Sequence, residues 1–147
     1  MNWQELSATS HYKTAVAIKY ELQEGDFQQA KTGIEELIDA LARSEKRALK
    51  SQLIRLMKHI IKWKSQPEKR SRSWSASISN AREEIADIQE ETPSLTNWVV
   101  QDMWEKCFRA AKREAEGEMN QTSPVSNLSW EEVFKQQYGH ESISQSF

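Results

Sequence analysis

The sequence predicts an all-α, single-domain helical bundle of about five helices around a central long helix. Two observations carry this. Four Gly and three Pro in 147 residues are too few turn-formers for an all-β chain. Apolar residues recur at spacings of three and four, which is the helical period. The length suits one domain and permits a real core, although the 37% apolar content is below the ~45–50% of average globular chains.

The first helix is expected near Ser10–Leu22, with Tyr12, Ala15, Val16 and Lys19 or Tyr20 as its packing stripe. Glu24-Gly25-Asp26 stops it and starts the next. Gly25 suits the residue just past a helix end, and Asp26 with Gln29 resembles a capping box. A second helix follows near Phe27–Ala42, striped by Phe27, Ala30, Ile34, Leu37, Ile38 and Leu41. Arg43-Ser44-Glu45 reads as a bend or cap before a third helix near Ser44–Lys64. On that helix Leu49, Leu53, Leu56, Met57, Ile60 and Trp63 share one arc, which Ile54 and Ile61 widen to about half the circumference. A helix so broadly apolar packs between two others. Arg47, Arg55, Lys58 and Lys62 occupy its remaining face.

Pro67 disfavours helical geometry at Gln66 and ends this helix. Serine at alternate positions from Ser71 to Ser79 mimics a strand, but a loop entering a helix near Trp74–Glu91 is preferred, with Ile78, Ala81, Ile85 and Ile88 as the stripe. Pro93 sits at the next boundary. A helix over about Ser94–Glu116 follows, carrying Leu95, Val99, Met103, Trp104, Cys107, Phe108, Ala111 and Ala115, with Gly117 ending it. Ser129-Trp130-Glu131-Glu132 is a capping box that opens a short helix through Gln137. The domain is expected to span 1–137, with 138–147 a flexible tail. Trp98 and Trp104 are expected in the core, and Trp3 and Trp130 at the ends.

The net charge of −2 hides a strong asymmetry. Residues 43–82 hold twelve Lys or Arg and two acids, so this segment is +10 and the rest of the chain −12. Two readings compete. Either the basic segment is an exposed surface for nucleic acid or another anionic ligand, with Trp63 and Trp74 available for stacking, or it is neutralised within the fold. Glu35, Glu36, Asp39, Glu83, Glu84, Asp87, Glu90 and Glu91 are the acids expected to neutralise it. A sequence pI near 6.0 weighs against a dedicated DNA binder.

Several segments share an order and spacing with a known family. They are Ile34-Glu35-Glu36-Leu37-Ile38, Arg43-Ser44-Glu45-Lys46-Arg47-Ala48-Leu49, Leu56-Met57-Lys58-His59-Ile60-Ile61-Lys62-Trp63, Gln66-Pro67-Glu68-Lys69-Arg70-Ser71-Arg72-Ser73-Trp74 and Pro93-Ser94-Leu95. From about Tyr12 to Tyr138 the chain resembles the bacterial family numbered twenty-nine among the domains of unknown function. The resemblance implies a small all-helical cytosolic domain. It points to Arg43, Ser44, Glu45, Arg47, His59, Lys62, Trp63, Gln66, Pro67, Arg70, Ser71 and Trp74 as matched positions. The chain departs from the family at His11-Tyr12-Lys13-Thr14-Ala15, where more leucine and arginine is usual, and at Tyr138-Gly139-His140-Glu141.

The candidate binding residues are therefore Arg43, Arg47, His59, Lys62, Trp63, Gln66, Arg70, Ser71 and Trp74. No catalytic residue is assigned, and neither metal nor cofactor is expected. The histidines lie in unrelated segments without ligand spacing, and no phosphate-cradling glycine loop occurs. Cys107 lies on an apolar stripe, which suits a buried, inert thiol. The functional reading is a non-enzymatic binding or interaction module using the basic surface around residues 43–74. The alternative is a structural or oligomer-forming protein, with a protein partner or a second copy of the chain as its contact. The least favoured class is a phosphoester-directed enzyme using Glu45, His59 and Arg70. No run approaches the ~18 apolar residues of a membrane span, and Met1–Glu5 does not resemble a secretory signal, so the expected location is the cytoplasm.

Overall fold

Asn2 opens the chain's first helix, its side chain accepting the Glu5 N–H. In the computed structural model, which describes residues 1–139, seven α-helices and one 3₁₀ turn succeed one another, with no strand among the described residues. They are α1 (Trp3–Thr9), α2 (His11–Gln23), α3 (Phe27–Ser65), the turn Pro67–Lys69, α4 (Arg72–Glu91), α5 (Asn97–Asp102), α6 (Trp104–Met119) and α7 (Trp130–Phe134). The fold is all-α, as predicted.

The expected bend at Arg43-Ser44-Glu45 does not form, and the second and third predicted helices are one helix of 39 residues. From Ile34 to Gln66 there is neither Gly nor Pro, and Leu, Ala, Arg, Lys and Glu dominate. All of these are strong helix formers, and one serine with a Glu beside it does not outweigh them. The remaining boundaries follow from caps. Gly25 adopts φ +79° after α2, and the Asp26 carboxylate accepts the Gln29 N–H before α3. Ser71 accepts the Trp74 N–H, so α4 starts at Arg72 rather than Trp74. Gly117 does not end α6. The helix runs two residues further and stops at Asn120, whose φ of 55° is left-handed.

The helix expected over Ser94–Glu116 starts at Asn97 and is interrupted at Met103. No Gly or Pro causes the break. It coincides with Met103 entering the core and Trp104 stacking on Trp130 at 5.5 Å, so tertiary packing prevails over local propensity. Ser129 and Glu132 form the predicted capping box, but α7 ends at Phe134 rather than Gln137.

The chain divides into two compact units, Met1–Arg47 and Ala48 onward, and α3 contributes to both. In the first unit, Trp3, Ile18 and Ala30 form a small buried cluster with Leu6, Ala17 and Leu37 against it. Gly33 lets α3 approach this cluster, since a β-carbon there would meet Ile18 and Trp3 at 2.7–2.9 Å. The predicted stripe of the first helix is not what packs. Thr14 and Ile18 are buried, whereas Tyr12, Val16 and Tyr20 face solvent. The same holds on the early part of α3, where Ala30 is buried but Phe27, Ile34, Ile38 and Leu41 are exposed. The missed helix α1 is the physical reason. Its Trp3 supplies the apolar partner that the wheel assigned to larger side chains, and small residues pack beneath it.

The second unit holds the main core. Leu49, Leu53, Leu56, Met57, Ile60, Ile61 and Trp63 of α3 are buried with Ile78, Ala81, Ile85 and Ile88 of α4 and Cys107, Phe108, Ala111 and Ala115 of α6. This is the broad apolar arc read from the sequence. Val125, Leu128, Val133 and Tyr138 close it. Trp104 packs against the core as expected, but Trp98 is 71% exposed at the start of α5. Of the expected tail, Tyr138 is buried against Trp63, and residues 140–147 lie outside the described residues.

Candidate functional site

The nine candidate residues fall into two groups, one in each unit. In the first unit, Arg43 and Arg47 stand four apart on α3 and so share a face. Together with His11, Ser44, Ser7, Ala8, Thr9 and Ala40 they line a cleft of about 240 Å³. The cleft forms where α1 ends and α2 begins, opposite α3. The negative end of one helix dipole and the positive end of the next meet there and largely offset. The two guanidinium groups are the permanently charged side chains of its lining. No carboxylate lines the cleft, and neither arginine has a hydrogen-bond or ion-pair partner among the described residues. Ser10 accepts the Lys13 N–H and Thr9 donates to the Glu5 carbonyl, which fixes the floor of the turn beside His11.

The second group surrounds the end of α3 and the start of α4, and its members have local partners. Trp63 is only 3% exposed. The Arg70 guanidinium stacks over its ring at 5.1 Å, and Arg70 Nε donates to the Trp63 carbonyl at 2.9 Å. That bond satisfies one of the carbonyls left over at the C-terminus of α3. Tyr138 meets the same indole edge-on at 6.0 Å. Burial pushes the Tyr138 phenol up to about 12, with the Glu132 carboxylate adding to the effect. Lys62 lies over the Trp74 ring at 5.1 Å and pairs with Glu118 at 3.3 Å. Gln66 is buried, and Ser71 caps α4.

His59 is half-buried on α3. Its Nδ1 donates to the Arg55 carbonyl at 2.9 Å, which places the proton on Nδ1 because a carbonyl only accepts. Burial holds the imidazole below its ordinary value, and the cations Lys58, Lys62 and Arg55 act in the same direction against the Arg55 carbonyl. Folding therefore favours the neutral imidazole.

Part of the basic segment is neutralised, by partners other than those expected. Lys58 pairs with Glu118 at 3.0 Å and Glu114 at 3.7 Å, and Lys64 pairs with Glu132. These acids belong to α6 and α7, not to the early α3 or α4 acids that the sequence suggested. Burial raises the Glu118 carboxyl, but hydrogen bonds and charge from Lys58 and Lys62 outweigh it and hold the group below its ordinary value. Arg82 is spent on backbone, donating to the carbonyls of Val133 and Gln136 at 2.8 Å. Arg43, Lys46, Arg47, Lys50, Lys69 and Arg72 keep no ion pair among the described residues.

Sequence reasoning missed His11 and Thr9 as neighbours of Arg43 and Arg47. The available signal was Asn2 three residues before Glu5, a cap for a helix that brings this segment against α3. No group of three His, Cys, Asp or Glu among the described residues is arranged to hold a metal ion. None of their helices is long and apolar enough to cross a membrane.

No curated protein and no solved structure matches the chain. The family described as Domain of unknown function DUF29 matches residues 13–139, nearly the whole described chain. An all-helical chain with this motif order, matched over that span, belongs to the DUF29 family.

Proposed function

We propose that the protein is a non-enzymatic anion-binding module whose site is the Arg43–Arg47 cleft. The supporting observation is a concave, carboxylate-free lining that presents two unpartnered guanidinium groups beside the Ser44 hydroxyl and the His11 ring. Guanidinium forks match phosphate and carboxylate geometry, and two of them on one face hold a compact oxyanion from one side. The cleft is smaller than the ~300–1,000 Å³ of sites that enclose drug-sized ligands, so it suits a phosphate group with few attached atoms.

This narrows the anionic-surface reading. The two indoles expected to stack on a nucleic-acid strand are not free to do so. Trp63 is buried, and the Trp74 ring faces Lys62. The His59–Trp74 group serves in this reading to hold the elbow between α3 and α4.

Thermal denaturation with increasing pyrophosphate at low ionic strength tests the proposal. Binding to the native state alone raises the midpoint with ligand concentration. The rise is expected for the unaltered protein and absent from the Arg43→Ala/Arg47→Ala variant, and added sodium chloride reduces it. An equal rise in the variant, or no rise in either, refutes the assignment. A rise with single-stranded RNA but not pyrophosphate favours nucleic acid instead.

A further inference from the structure

We infer that the protein self-associates through the exposed stripe of α3, with the two copies of this helix antiparallel and crossing at Ile38. This is independent of the anion-binding reading, since Arg43 and Arg47 lie on another side of the helix.

Phe27, Lys31, Ile34, Ile38, Leu41 and Glu45 follow one another at spacings of four, three, four, three and four. That 3-4 alternation is the seam of a helix pair, confined to an arc of about 80°. The seam faces outward. Phe27 is 70% exposed and Ile38 59%, with Ile34 and Leu41 each above 40%. The small cluster of the first unit uses a different face of α3, through Ala30 and Gly33. The four apolar side chains present on the order of 400 Å² of non-polar surface, taking ~150–200 Å² for a fully exposed large side chain. A standard interface buries ~800 Å² per partner, of which somewhat more than half is non-polar. The stripe therefore supplies about the apolar core that one side of such an interface requires.

Charge selects the partner and its direction. Lys31 and Glu45 are the polar positions of the seam, and each stands seven residues, or about 10.5 Å, from Ile38. Neither has an ion-pair partner among the described residues. In a parallel pair they would face their own copies, lysine on lysine and glutamate on glutamate. In an antiparallel pair crossing at Ile38, Lys31 of each copy meets Glu45 of the other. That exchange, residue i on j and j on i, is what a two-fold interface demands. A second copy of this chain therefore satisfies both seam charges without any other partner.

Sedimentation equilibrium across micromolar to near-millimolar concentration is the test. The mass is expected to approach twice 17.1 kDa. Ile38→Lys is expected to hold the protein at the single-chain mass throughout, with an unchanged helical spectrum because Ile38 is exposed. Lys31→Glu is expected to weaken association by about tenfold or more, and Lys31→Glu/Glu45→Lys to restore it. A single-chain mass at the highest concentration overturns the inference, as does a dimer that tolerates Ile38→Lys. A double exchange that fails to rescue overturns the antiparallel crossing.

Discussion

Gly33→Ala puts one methyl group where the first unit has no room for it. The new β-carbon would lie 2.7 Å from Ile18 Cγ1 and 2.8 and 2.9 Å from Trp3 Cζ3 and Cε3. Neither neighbour gives way cheaply. Ile18 is β-branched and buried, so its χ1 is restricted. The Trp3 ring is buried, and its Nε1 donates to Gln29 Oε1 at 2.8 Å, which fixes its orientation. The helices must move apart instead. Overpacking of this kind costs about 1–3 kcal/mol, whereas replacing glycine by alanine inside a helix contributes up to ~1 kcal/mol in the opposite direction. Three contacts below 3.0 Å place the cost in the upper part of that range, so the net expectation is a loss of about 1–2 kcal/mol. Gly117→Ala is the internal control. A β-carbon there meets nothing within 4 Å, so only the propensity gain of ~0.5–1 kcal/mol remains. Urea denaturation followed by circular dichroism, with hydrogen exchange of amides in α1 and α2, reads both variants. Opposite signs are expected, with the Gly33→Ala loss concentrated in α1 and α2. A Gly33→Ala protein as stable as the original would mean that Trp3 and Ile18 do not close over α3, and the cleft at His11 would lose its foundation.

The remaining predictions concern the second unit. Ser71→Ala removes the oxygen that accepts the Trp74 N–H and should cost about 0.5–2 kcal/mol, while leaving the pyrophosphate response intact; urea midpoints and the thermal assay check both halves. His59 contributes a pH dependence of definite sign. Its folded value lies below the ordinary 6.5, so the unfolded chain takes up the proton first as pH falls, and stability is lost downward from about pH 6.5. His59→Gln should flatten that limb of a stability-against-pH curve, and an identical slope in the variant contradicts the assignment.

The second unit was more legible than the first. From Leu49 to Trp63 the apolar arc is so wide that any packing buries most of it, and the periodicity alone locates the core. Ser129 with Glu132 was equally readable, because a capping box is a local device that needs no distant partner. The first unit depends on what lies far along the chain. Tyr12, Val16 and Tyr20 had the spacing of a buried stripe, yet Trp3 and Gly33 decide which side of α2 is covered. Gly33 and Ala30 carry little hydrophobic weight on a helical wheel, so close packing through small residues is invisible there. The charge asymmetry was correctly read as a segment, but its neutralising partners were not. Glu114, Glu118 and Glu132 are brought to Lys58, Lys62 and Lys64 by the return of α6 and α7, over separations of 56 to 68 residues for the hydrogen-bonded pairs. Among the candidate residues, Arg43 and Arg47 entered through the basic segment and the matched motif positions, but the bend expected at Arg43-Ser44-Glu45 hid the face they share, and His11 entered only with α1 and α2.

Side-chain Nε–Hε resonances of the arginines, followed by NMR during a pyrophosphate titration at low ionic strength, test the central claim most directly. Saturable shifts confined to Arg43 and Arg47, accompanied by the His11 ring and reversed by salt, are the predicted result. Shifts of equal size at Arg72, or no saturable change at Arg43 and Arg47, would contradict it.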